Sequence, residues 1–138
     1  MNSRSGLVLL GAVFLAVPSL AGCSIADPQR ALTLQELVNS DSQGSVDVTT
    51  QPEENTEIAC AASVDCVESY STTEANYFRF ESKDRAKEFG DTLQDGFTMN
   101  YIVMDFAGKD ASVEHQLWAM QELAGTWNDY EGDFPDRR

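Results

Sequence analysis

Three cysteines and a single histidine bound the chemistry open to this chain of 138 residues. The thiols are Cys23, Cys60 and Cys66, and the imidazole is His115. A serine triad needs a histidine and, in its commonest setting, a Gly-x-Ser-x-Gly elbow, which does not occur in this chain. A dithiol redox site wants Cys-x-x-Cys, but Cys60 and Cys66 stand six positions apart. His115 has no second histidine to join it in holding a metal, and it falls off the apolar stripe of its segment, so an exposed, plain role is expected. Among the 23 acidic residues most read as solvated faces. Asp105 differs in lying inside an apolar run, where simple alternation points it outward. Asp129, Glu131 and Asp133 flank Gly132 without the spacing of a calcium loop and read as an acidic tail. Trp118, Trp127, Tyr77, Phe78 and Phe80 could stack on a sugar or a peptide, but in so small a domain they are expected in the core. No catalytic residue, metal ligand or cofactor is expected.

The cysteines carry more information than the acids. Residues 1–5 hold one positive side chain, Arg4, and the stretch from Gly6 to Val17 is apolar until Pro18 and Ser19 break it. Twelve helical residues rise only about 18 Å, short of a hydrocarbon core of roughly 30 Å, so this is a signal-peptide run and not a stable span. Leu20-Ala21-Gly22-Cys23 follows and resembles the bacterial lipobox, in which the cysteine thiol takes a diacylglyceryl group and cleavage leaves that cysteine first. The resemblance makes Cys23 the lipidation site, with palmitate-type acyl chains holding the protein to the membrane. Two chains anchor stably at about 0.8 kcal/mol per buried methylene, without a basic patch.

Cys60 and Cys66 then remain as an even pair in an exported domain, the usual setting for a disulfide. Six residues of helix would part them by about 9 Å and six of strand by about 20 Å, whereas a bridge needs Cα atoms within roughly 7 Å. A bridge therefore requires the chain to turn within Ala61 to Asp65. The other reading is two free buried thiols.

Charge narrows the partners. The formal net charge is −14, and removal of residues 1–22 leaves eight bases against 23 acids, or −15. Such a chain lacks the basic face that nucleic acid or anionic lipid headgroups demand. Its organisation reads as a signal peptide over 1–22, a lipidated cysteine with a mostly flexible polar tether and a short helix over 23–56, and a compact domain with an acidic tail over 57–138.

Elements must position whatever site exists. Thr33-Leu34-Gln35-Glu36 has the form of a capping box ahead of Leu37 and Val38. Cys66–Thr72 and Ala75–Glu81 are rich in strand formers around a polar Thr73-Glu74 junction, as in a hairpin. Ser82 can cap a helix carrying Ala86, Phe89 and Leu93, with Gly96 suited to a left-handed terminus. Phe97–Phe106 is the strongest strand, and Asp110 or Ser112 opens a helix with Val113, Leu117, Met120, Ala124 and Trp127 on one face. The order strand-strand-helix-strand-helix predicts an α+β fold. Its small sheet has about three strands, the second and third parallel, and two helices pack on one face.

The segment Cys60–Phe106, with Asp65-Cys66-Val67-Glu68, Tyr77-Phe78-Arg79-Phe80 and Asn100-Tyr101-Ile102-Val103, resembles small actinobacterial lipoproteins of uncharacterised function. The resemblance implies an envelope location and brings no catalytic residues. The combined expectation is a lipid-anchored, outward-facing protein of the cell membrane whose domain is a non-catalytic module. It would bind an envelope protein or a small ligand. The alternative is a small carboxylate-dependent hydrolase, which would need two carboxylates converging in a cleft.

Overall fold

Helix α1 (Leu34–Asn39) starts where the sequence places it. The Thr33 hydroxyl accepts from the Glu36 amide at 3.1 Å and the Glu36 carboxylate accepts from the Thr33 amide at 3.0 Å, a complete capping box. The computed structural model describes residues 27–40, 48–61, 63–125 and 134–135. Among them it adds β1 (Glu53–Glu54), α2 (Thr56–Ala59), β2 (Glu68–Ser71), β3 (Asn76–Arg79), α3 (Lys83–Gly90), β4 (Gly96–Met99), β5 (Ile102–Asp105) and α4 (Val113–Gly125). A 3-10 turn at Pro28–Ala31 precedes α1.

The architecture is α+β, with one five-stranded antiparallel sheet in the order β1-β2-β3-β5-β4. The β2–β3 hairpin forms around the Thr73-Glu74 junction, closed by the Thr72 amide donating to the Ala75 carbonyl at 2.9 Å. The expected third strand is two strands. The run from Phe97 to Phe106 folds back at Asn100-Tyr101, where Asn100 takes the left-handed φ of 54° that asparagine tolerates better than most residues. This corrects the expected parallel pair. β3 and β4, joined through α3, do run in the same direction, but the hairpin places β5 between them and every ladder contact is antiparallel.

The expectation of both helices on one face is also corrected, and β5 supplies the reason. Ile102, Val103 and Met104 are all fully buried, so both faces of this strand need cover. Ile102 and Met104 join Leu34, Leu37, Tyr77, Phe97, Met120 and Leu123 in the larger core, on the side of α1 and α4. Val103 joins Cys66, Phe80 and Ala86 in a smaller core beneath α3. Met120 meets Ile102 and Met104 within one core as expected, with Leu117 half-buried at its margin; Trp127 lies outside the described residues.

Two boundaries shift. Leu34 and Leu37 belong to the main core, and β1 pairs with β2, so the packed unit reaches upstream of Glu57. Helix α3 ends at Gly90 and not at Gly96, which opens β4. Gly90 is where α3 settles on the sheet, since a Cβ there would collide with the Thr98 hydroxyl.

Candidate groove beside the disulfide

The disulfide loop builds one wall of a groove. α2 leads into Cys60, and Cys60 and Cys66 are bonded with Cα atoms 4.7 Å apart. The chain turns inside Ala61–Asp65, as the geometry requires. The Val64 amide donates to the Ala61 carbonyl at 2.9 Å, and Asp65 has a left-handed φ of 56°. Ser63 and Val64 face the groove from this loop.

The other wall is α3. The Ser82 hydroxyl accepts from the Arg85 amide at 3.2 Å and fixes the start of the helix. Arg85, Glu88 and Phe89 then follow at helical spacings of three and four on one stripe toward the loop, and Thr92 joins them from the turn just after the helix. The cavity between the walls measures about 170 Å³. The Arg85 guanidinium donates to Asp65 at 2.8 Å and to Glu88 at 3.0 Å, tying the helix to the loop. Phe89 forms the apolar floor, its ring 5.1 Å from that of Phe78 and 5.3 Å from that of Phe80. On α2, just before the disulfide, Ile58 is 84% exposed. The Ser63 hydroxyl, the paired Arg85 and Glu88, and the apolar floor can hold a ligand fragment that carries a hydrogen-bonding group beside an apolar part.

Elsewhere the acidic residues act as staples. Glu68 on β2 accepts from the Leu34 amide at 2.9 Å and the Gln35 amide at 2.8 Å, while Arg79 donates to it at 2.8 Å. It thereby caps α1 from 34 positions away in sequence. Glu74 is buried, and its two oxygens accept from the Thr50 amide at 2.9 Å and the Thr50 hydroxyl at 2.6 Å. Lys109 donates to the Thr72 carbonyl at 2.6 Å and the Ser71 hydroxyl at 2.8 Å, and its burial there pulls its pKa down against the attraction of Glu74, Asp105 and Glu53.

A third staple closes the opposite end of the sheet. The Asp27 carboxylate accepts from the Tyr101 hydroxyl at 2.8 Å and from the Gln29 amide at 3.0 Å, and Lys83 approaches it at 3.5 Å. The same Lys83 bonds the Gln29 side chain and lies 5.6 Å from the centre of the Tyr101 ring. The Tyr101 hydrogen bond lowers the Asp27 pKa and raises that of the tyrosine.

The residues singled out in the sequence fall as follows. His115 is exposed on α4, its ring 5.2 Å from that of Trp118. Asp105 is half-buried and accepts from the Ala107 amide at 3.0 Å, closing a turn. Tyr77 and Phe80 are core, while Phe78 and Trp118 are half-buried. Cys23, Asp129, Glu131 and Asp133 lie outside the described residues. Among the described residues no group of three or more His, Cys, Asp or Glu is placed to hold a metal, and no helix is long and apolar enough to cross a membrane. The groove itself was missed in the sequence, although the stripe 85-88-89-92 beside a short disulfide loop was a readable signal. Searches against protein-family models, characterised proteins and solved structures find no match to the chain.

Proposed function

We propose that this chain is an outward-facing lipoprotein, anchored through acyl chains on Cys23, whose domain binds a partner in the groove between the disulfide loop and α3. The observation that carries the binding role is the stripe Arg85, Glu88, Phe89 and Thr92 set against Ser63 and Val64 around about 170 Å³. Drug-sized pockets run to roughly 300–1,000 Å³, so this groove takes a fragment. A single sugar ring, or one side chain of an envelope protein, is of that size. The anchor is supported by Leu20-Ala21-Gly22-Cys23 after the apolar run.

Metabolic labelling with a fatty acid tests the anchor: label is expected in the unaltered protein and absent from Cys23→Ala. Label that persisted in that variant would sink the assignment. For the groove, backbone NMR shifts of the domain are followed while soluble peptidoglycan fragments are added. Shifts centred on Ser63, Val64 and Phe89, and lost in Arg85→Ala, are expected. Shifts confined to the α4 face would overturn the groove.

A further inference from the structure

The spacing between Cys23 and Asp27, the first described residue, has a geometric consequence, which rests on the lipid anchor proposed above. Cys23 and Asp27 are four residues apart in sequence, so at most about 14 Å of chain joins them. Asp27 is held by three elements at once: its own 3-10 turn through Gln29, the β4–β5 turn through Tyr101, and the start of α3 through Lys83. Arg30 adds a bond to Glu81, where β3 hands over to α3, at 2.8 Å.

That corner lies at one end of the sheet. The Phe80 amide donates to the Tyr101 carbonyl at 2.9 Å, so the exit of β3 and the β4–β5 turn share it. The Thr72–Ala75 turn lies at the other end, where Asn76 pairs with Asp105 and Lys109 reaches the Thr72 carbonyl. From Ala75 to Glu81 is about 20 Å at strand rise. Charge divides the same way. Of the six Lys and Arg in the described residues, Arg30, Arg79, Lys83 and Arg85 sit at the Asp27 end, each within ion-pair distance of an acid. At the far end Lys109 faces Glu53, Glu74 and Asp105. Lys and Arg are drawn toward a bilayer surface rich in anionic lipid, which favours the end that gathers four of the six.

We infer that the corner of Asp27, Lys83 and Tyr101 is the membrane-apposed end of the domain, and that its bonds fix the domain's stance with the Thr72–Ala75 turn pointing into the aqueous space. Energy transfer tests this on the full lipidated protein. A fluorescent amino acid replaces exposed Asp84 in one sample and exposed Thr73 in another. Both are reconstituted into vesicles of phosphatidylglycerol and phosphatidylethanolamine bearing a headgroup-linked acceptor. Transfer from position 84 is expected to exceed that from position 73 severalfold. Asp27→Ala and Lys83→Ala should each bring the two toward equality while the protein still floats with the vesicles. Equal or reversed transfer in the unaltered protein overturns the stance, and a full difference kept in both variants overturns the role of the corner. Protein that fails to float overturns the anchor itself, and this inference with it.

Discussion

Glu74 is 1% exposed, and the Thr50 amide and hydroxyl occupy its two carboxylate oxygens. Truncation would strand a partly buried backbone donor, which costs about 1–3 kcal/mol. Glu74→Ala is therefore expected to lower the unfolding free energy by about that amount in a urea titration. His115→Ala, on an exposed position, should change it by about 0.5 kcal/mol or less. Asp27 invites a different measurement. The Tyr101 hydroxyl holds its carboxyl below the ordinary 3.8, so the ionised form is favoured in the folded state. Its contribution to stability is present above pH 3.8 and is lost as pH falls through the lowered folded value. Carboxyl NMR titration should find Asp27 below 3.8 and should find it moved up in Tyr101→Phe. The exposure of His115 was legible in the sequence, whereas the roles of the carboxylates were not. Glu68, Glu74 and Asp27 look like any other residues of an acidic surface, because their partners stand 34, 24 and 74 positions away.

Local signals at the level of elements were read well, since each rests on residues a few positions apart. The Thr33–Glu36 capping box, the Ser82 cap and the Thr73-Glu74 hairpin are all of this kind. The turn forced by the Cys60–Cys66 bridge is another. Long-range pairing was read poorly. The run from Phe97 to Phe106, apolar apart from Thr98, Asn100 and Asp105, resembles one long strand, and only the left-handed Asn100 marks the reversal. The triple burial of Ile102, Val103 and Met104 demanded cover on both faces, a demand that a one-sided helix layer could not meet. The stripe of α4 is likewise rotated from its expected centre: Gln116, Ala119, Met120, Leu123 and Ala124 are buried, whereas Val113 is 41% exposed. Met120→Ala should therefore cost about 2–5 kcal/mol. Leu117→Ala, at a half-buried margin, should cost clearly less in the same denaturant titration. Equal costs would place the helix axis differently against β4 and β5.

Taken as one molecule, the chain carries a net charge of −14, and self-repulsion works against compactness. Raising salt from 0.01 to 0.15 M shortens the screening length from about 30 to about 8 Å. The exposed pairs of Arg85 with Asp65 and of Lys87 with Asp91 lose little, being worth at most about 1 kcal/mol each. The melting temperature followed by circular dichroism is thus expected to rise over this range. A fall would show that ion pairs outweigh repulsion. The sheet's outer strand β1 has a consequence of its own. It is two residues long, and both are exposed glutamates. Copies held by the proposed anchor would diffuse in a plane with their strands in similar attitudes, an arrangement that favours templated growth of one sheet onto the next. A neighbour docking on β1 would gain a ladder of two residues and meet two like charges. On this side the sheet is closed to polymerisation by its last two side chains.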